Sequence, residues 1–438
     1  MKGMQMEGGH DVQRLGMIHQ DMMKLKRSVN RANCAVLALS VLLLILAITL
    51  IAVGAKQGHA IMRLKTRQGL LPNPNVTFAT RSGNLNLEGL AYGGSLFRGS
   101  GFWSAKASLK GGELSDHAAI GYGEVIFILG GAKEDGNVTN EVWKYDSILH
   151  NYTLMASMPE PRYRFGAAII EDTIYVVGGR NVSDDLGSVP NDGLVKSTFI
   201  YDILSNTWTR GANALDFQGD TCAAALKGKV YMIGGYGVGY SYLNTASVYD
   251  PSADSWSRLP NMPTPRGDLM CASLGSDVYV LGGYYDPTNS NANSFSAKME
   301  AFNPSTNAWT GRPDLLTPRG DAAVAVLEGD RLMLVGGEGH YRDNEQFKYP
   351  KHVTEVYYLA DQTWVQKAMI PTARFRTAAA MVGGLAFVLG GADVCIDQTV
   401  CPTLSQNEVF LDVDHPHVYI YLKDEAYNDN AALTTYPL

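Results

Sequence analysis

Long apolar runs are scarce in this 438-residue chain; one, near the N-terminus, stands alone. Cysteine is scarce as well: five cannot make the framework of a disulfide-stapled small domain. Basic excess is missing. Thirty-six Lys and Arg face 43 Asp and Glu, a net charge of −7, so the positive field that nucleic-acid binding requires is absent and no nucleic-acid partner is expected. Helical periodicity is missing beyond residue 100. No P-loop, Cys-x-x-Cys pair or Ser-His-Asp order is present, which removes the common phosphate-binding, redox and acyl-transfer signatures.

The one long apolar run is Cys34 to Ala55, uncharged and bounded by Arg31 and Lys56. Its 22 residues reach about 33 Å as a helix, enough to cross a hydrocarbon core. A cleaved signal peptide ending at Val53-Gly54-Ala55 is the alternative. The 33 residues ahead of the run, and its length, favour an uncleaved signal anchor. The chain thus divides into an N-terminal tail (1–33), a membrane span (34–55), a Gly-, Asn- and Ser-containing stalk (56–100), a repeat domain (101–425) and a C-terminal tail (426–438). Flanking Lys and Arg balance across the span: Lys24, Lys26, Arg27 and Arg31 before it, Lys56, Arg63, Lys65 and Arg67 after it. Glycosylation sequons at Asn75, Asn137, Asn151 and Asn181 all lie C-terminal to the span. Cys395 and Cys401, separated by a short loop, suit a disulfide made in an oxidising compartment. These features place the tail in the cytoplasm and the repeat domain in a lumenal or extracellular space.

Six glycine pairs punctuate the rest: Gly130-Gly131, Gly178-Gly179, Gly234-Gly235, Gly282-Gly283, Gly336-Gly337 and Gly390-Gly391. Each ends a short apolar strand, and successive pairs are 48, 56, 48, 54 and 54 residues apart. Such spacing marks one supersecondary unit copied six times. Each unit opens with a small-residue strand (GAAII, CAAAL, TAAAMV). Next come the strand ending in Gly-Gly, a loop and a strand ending in an aromatic: Tyr145, Tyr201, Tyr249, Phe302 or Tyr357. A second aromatic follows seven residues on: Tyr152, Trp208, Trp256, Trp309 or Trp364. Four strands per unit and six units predict an all-β, six-bladed β-propeller. The small strands fit the crowded axis, and the aromatics fill the wedges between blades.

The combination of Gly-Gly, Tyr-Asp (Tyr145-Asp146, Tyr201-Asp202, Tyr249-Asp250), Trp and Pro-Arg resembles the kelch repeat family, whose propeller also forms the central domain of galactose oxidase. The last unit departs from the pattern. Phe410 or Leu411 takes the tyrosine position, and no tryptophan follows. Trp103, in an N-terminal strand-like segment, or the Val418–Leu422 run supplies the missing outer strand.

Fourteen residues before each first glycine, fifteen in unit 5, stand Asp116, Arg164, Asp220, Asp268, Asp321 and Arg376. They open the innermost strands and are expected to ring one mouth of the central channel. Two positions earlier come Leu114, Arg162, Gln218, Arg266, Arg319 and Arg374; just after the pairs come Ala132, Arg180, Tyr236, Tyr284, Glu338 and Ala392. The resemblance implies that these loops share a partner-binding face, and long loops on a rigid scaffold are a usual seat of recognition. Asp116, Arg164, Arg180, Asp220, Tyr236, Asp268, Tyr284, Asp321, Glu338 and Arg376 are therefore the candidate ligand contacts. Arg and Asp suit sugars, carboxylates or peptide side chains, and Tyr236 and Tyr284 suit stacking on a sugar. The alternative is that the charges neutralise one another and hold water.

Arg266-Gly267-Asp268 and Arg319-Gly320-Asp321 spell an adhesion motif but occupy the repeat's own Pro-Arg slot. Cys222 and Cys271, one register apart on neighbouring inner strands, read as buried free thiols, with a disulfide as the alternative. The mouth column has no histidine, so the two-His, two-Tyr copper set of a galactose oxidase-like enzyme is not matched, and the sialidase Asp box is absent. No metal, cofactor or catalytic residue is assigned. The expected role is recognition of a protein or glycan at the mouth. The alternatives are a membrane-tethered sugar mutarotase, epimerase or oxidase-like enzyme, and a cytosol-facing scaffold if the topology is inverted.

Overall fold

The computed structural model describes residues 60–63, 77–80, 101–182, 193–285, 294–328, 330–341, 344–395, 401–412 and 419–421, with the backbone alone for 60–63, 77–80, 340–341, 344–348 and 419–421. The membrane span expected at 34–55 lies outside these residues. Among the described residues, no helix is long and apolar enough to cross a membrane.

Six four-stranded antiparallel sheets form a propeller, with strands named a to d from the axis outward. Strands a of blades 1 to 6 are Ala118–Tyr122, Gly166–Ile170, Cys222–Leu226, Met270–Leu274, Ala323–Leu327 and Ala378–Val382. Blades 1 to 5 are each built from consecutive chain. Blade 6 is not: its strand d is Phe102–Lys106, paired antiparallel with Asn407–Leu411. Trp103 stands opposite Phe410 in that ladder, as Trp208 stands opposite Tyr201 and Trp256 opposite Tyr249.

The indole hydrogen bonds show that Trp103 is the missing repeat tryptophan. In blades 2 to 5, the Nε1–H of Trp208, Trp256, Trp309 and Trp364 donates to a backbone carbonyl in the linker leaving the preceding blade: Ala156, Ala212, Pro260 and Pro313. Trp103 donates to Ala368 at 2.8 Å in the same way, and the Tyr152 hydroxyl donates to Ala107 at 3.0 Å. All six junctions are therefore tied, and the ring closes through the N-terminal strand. The run at 418–422 does not close it. Tyr419–Tyr421 instead belongs to a three-stranded sheet with Ala60–Arg63 and Thr77–Thr80, two short strands inside the segment read as a stalk.

The glycine pairs make a second closed ring. The second glycine of each pair donates its N–H to a carbonyl of the next blade. Gly131 reaches Arg162, Gly179 Gln218, Gly235 Arg266, Gly283 Arg319, Gly337 Arg374, and Gly391 returns to Leu114. The close approach excludes a side chain: a Cβ on Gly282 would lie 2.3 Å from the Arg319 carbonyl oxygen. Apolar strands b pack between sheets, with Ile126, Val176, Met232, Val280, Leu334 and Val388 buried in the wedges.

Cys222 and Cys271 form a disulfide, with Cα atoms 5.7 Å apart. This corrects the free-thiol expectation. Strands a of neighbouring blades converge so closely at the axis that their Cα separation falls within disulfide range. Cys395 and Cys401 are also bonded.

Candidate functional site

Each strand a is preceded by a two-residue step that turns the chain into the axis. At this step Asp116, Arg164, Asp220, Asp268, Asp321 and Arg376 all adopt a left-handed backbone, with φ between 49° and 54°. Such a conformation is uncommon for arginine. Its recurrence whatever the side chain makes it a property of the repeat. The turn aims each residue at its neighbours around the axis. Arg164 donates its backbone N–H to the Asp116 carbonyl, Asp220 to Arg164, Asp321 to Asp268, Arg376 to Asp321, and Asp116 to Arg376. Among the described residues the sixth link, Asp268 to Asp220, is absent. The six predicted column residues thus do ring one mouth of the channel. Below them lies a cavity of about 350 Å³ walled by strand a residues such as Ala118, Gly166, Ala323 and Ala378.

The side chains form a charged circuit. Arg164 bridges Asp116 at 3.3 Å and Asp220 at 3.1 Å. Arg376 lies 3.7 Å from Asp116 and 3.6 Å from Asp321. In blade order the ring reads Asp, Arg, Asp, Asp, Asp, Arg. Full alternation would place a cation in blade 4, where Asp268 stands instead. Its hydrogen-bond partner is the Tyr236 hydroxyl at 2.9 Å. Burial, opposed by Arg164 and reinforced by Asp268, pushes the Asp220 carboxyl up to about 6. Burial and then the like charge of Asp268 also raise Asp321.

The residues after the glycine pairs stand behind the ring. Each bridges the residue that precedes a column position, as Tyr236 does Gly219 and Glu338 does Gly320. Arg180 is fully buried, 3.3 Å from Asp220 and beneath the Tyr240 ring. Tyr236 and Glu338 are buried too. These three therefore act on the ring electrostatically and as buttresses, and Tyr236 has no open face for a sugar. Tyr284 is half-buried against Phe295, with Tyr242 beside it.

The column two residues earlier does something else. Arg266, Arg319 and Arg374 have no exposed surface. Arg266 donates to the Gly282 carbonyl at 2.8 Å and to Glu300 at 2.7 Å; Arg374 donates to Gly390 and Glu408; Arg319 pairs with Glu355 at 3.0 Å. In blade 2 Arg162 donates to Gly178 and lies over the Phe199 ring, and in blade 3 Gln218 donates to Gly234. These side chains clamp their own blades and are unavailable to the mouth. Both Arg-Gly-Asp triplets consequently have a buried arginine. The sequence reading missed Glu300, Glu355 and Glu408. Each lies two residues before its strand c aromatic, and a carboxylate at that inward register is itself a sign of a buried cation.

The sequon asparagines differ in setting. Asn151 opens strand d of blade 1 and is exposed, and Asn137 is exposed in a mouth-side loop. Asn181 is half-buried directly after Arg180. Asn75 and Ser183 lie outside the described residues.

Comparison with known proteins agrees with this architecture. A family model described as Attractin/LZTR1 beta-propeller matches residues 152–400, more than half of the chain. Kelch-like protein 25 of Xenopus tropicalis is 27% identical over 276 residues, covering 63% of this chain and 36% of that protein. Kelch-like protein terF of Aspergillus terreus is 30% identical over 304 residues, covering 66% of this chain and 53% of that protein. The chain thus spans between about a third and a half of these curated relatives. The solved structure of YjhT aligns with a TM-score of 0.59 over 72% of this chain and 98% of that one at 14% identity, a likeness of fold alone. Six blades, kelch-like relatives and the matched family model lead to one conclusion: the chain belongs to the Attractin/LZTR1 beta-propeller family and carries a kelch propeller.

Proposed function

We propose that the chain is a membrane-anchored recognition protein whose propeller binds a protein or glycan partner at the ringed mouth. The observation that carries this reading is the broken alternation at Asp268. Arg164 and Arg376 are engaged by ring carboxylates, so an anionic ligand would have to displace existing ion pairs. Asp220, Asp268 and Asp321 instead form a run of three acids in which a cation would relieve like-charge repulsion. Tyr242 and Tyr284, ring centroids 6.4 Å apart, add aromatic surface in the loops on this side, of a kind that suits a cation. A protein presenting a Lys or Arg side chain therefore fits better than a glycan. Kelch-like relatives support the fold on which this reading rests, and residues 34–55 supply the length for an anchor.

The test is capture on an immobilised panel of lysine- or arginine-tipped, acidic and neutral peptides. Basic peptides are expected to bind, and Asp268→Asn is expected to weaken that binding roughly 10- to 100-fold, the worth of one charge-assisted hydrogen bond. Preference for acidic peptides would overturn the reading. Glycosidase-sensitive mass lost with Asn137→Gln and Asn151→Gln would establish a lumenal or extracellular propeller; its absence would favour the cytosol-facing scaffold.

One observation favours a second reading. A carboxyl group near 6 beside Arg164 is suited to proton transfer at neutral pH, the chemistry of a sugar mutarotase or epimerase. Turnover of a sugar that is abolished by Asp220→Asn would select it; binding of glycans without turnover would dismiss it.

A further inference from the structure

Five of the six junctions at the mouth are tied by a backbone hydrogen bond between column residues, and the untied one lies between Asp220 of blade 3 and Asp268 of blade 4. The disulfide that joins strands a of neighbouring blades lies at that same junction. Cys222 follows Asp220 by two residues and Cys271 follows Asp268 by three. The register is the ordinary packing of the fold, since Gly166 meets Ala223 in the same way at the previous junction. The covalent bond therefore stands at the one junction that lacks the backbone tie between column residues, and it holds two like-charged carboxylates close together.

From this coincidence we infer that the Cys222–Cys271 disulfide is a redox-sensitive latch that sets the width of the mouth between blades 3 and 4. Both cysteines line the axial cavity of about 350 Å³, which gives a small dithiol a route to them. One thiolate of the dithiol attacks a protein sulfur, forming a mixed disulfide and releasing the other protein thiolate. The second dithiol sulfur then displaces the first protein sulfur and closes as a cyclic disulfide. Two electrons pass to the protein, which takes up two protons and ends with two thiols. Once the bond is gone, the Gly235–Arg266 and Tyr236–Asp268 hydrogen bonds remain, but no column backbone link or covalent bond opposes the repulsion of Asp220 and Asp268, and the mouth edge of the junction loosens. The latch follows from the junction geometry alone; its effect on binding rests on the recognition reading above.

The test uses the full-length chain in detergent with Cys34, Cys395 and Cys401 changed to alanine, and dithiothreitol as the probe. A thiol-reactive label is expected to add to no cysteine before reduction and to two after it. Amide exchange at 219–222 and 267–271 is expected to accelerate at least about tenfold on reduction, while 116–119 and 164–167 stay unchanged. Cys222→Ser with Cys271→Ser is expected to show the fast exchange with or without dithiothreitol. Should the alanine background fail to fold, the same labelling and exchange, resolved by peptide mapping, are read on the wild-type chain. Two labels before reduction, or exchange at the junction that does not respond to reduction, would overturn the proposal.

Discussion

Two polar columns enter every blade two residues apart, and they lead opposite lives. The clamp column (Arg162, Gln218, Arg266, Arg319, Arg374) is wholly buried and bonds within its own blade, to a glycine carbonyl or a strand c glutamate. The mouth column (Asp116, Arg164, Asp220, Asp268, Asp321, Arg376) turns left-handed into the axis and bonds between blades. Buried ion pairs and hydrogen bonds in the first column hold the fold. The second column has one position, Asp268, held by a tyrosine hydroxyl instead of a cation, where like charges adjoin. A stability role and the proposed recognition role are thus separated by a single residue, within the triplet Arg266-Gly267-Asp268.

The comparison can be broken most forcefully at the clamp. Arg266→Ala leaves Glu300 buried without its cation and is expected to cost about 3–5 kcal/mol. In a domain of this size that lowers the melting temperature by about 4–7 °C, measured by calorimetry. Trp103→Ala removes the indole that ties blade 6 to Ala368 and its packing on Phe410. A loss of roughly 2–3 kcal/mol is expected, below that of a fully buried tryptophan because Trp103 is half-buried, with faster amide exchange in Asn407–Leu411 as the specific readout.

The pH response sharpens the contrast. Asp220 titrates near 6 in the folded chain, above the ordinary aspartate value of 3.8, because burial disfavours its charge and Asp268 adds like-charge repulsion. A raised carboxyl group binds its proton more tightly when folded. Its ionisation therefore costs stability as pH rises from about 4 to 6, and acidification across that window returns it. Denaturant unfolding is expected to show a gain of about 1–2 kcal/mol between pH 6.5 and 4.5. The gain is expected to shrink in Asp268→Asn, which removes one cause of the shift.

The fold was legible in the sequence because its determinants are local and repeated. Gly-Gly requires positive φ at each strand end, and the aromatics seven residues apart face each other across the turn of one hairpin. The mouth ring was legible for the same reason, through a constant offset from the glycines. Closure by Trp103 is not legible, because pairing between residues 103 and 410 is non-local and leaves no spacing to read. The division between clamp and mouth was hidden because both columns look equally polar; only backbone direction separates them. The Cys222–Cys271 bond was misread because neighbouring inner strands share no hydrogen-bond ladder, so their separation has no sequence signature.

The most direct measurement is the thermal stability of Asp268→Asn at pH 7, beside wild type. The substitution keeps an acceptor for the Tyr236 hydroxyl and removes the charge that, after burial, adds to the raised Asp321 and Asp220. The account predicts a stabilisation of about 0.5–1 kcal/mol together with loss of basic-peptide binding, the trade expected of a residue kept for recognition. A fall in melting temperature comparable to that of Arg266→Ala would contradict it and make Asp268 one more structural residue of the repeat.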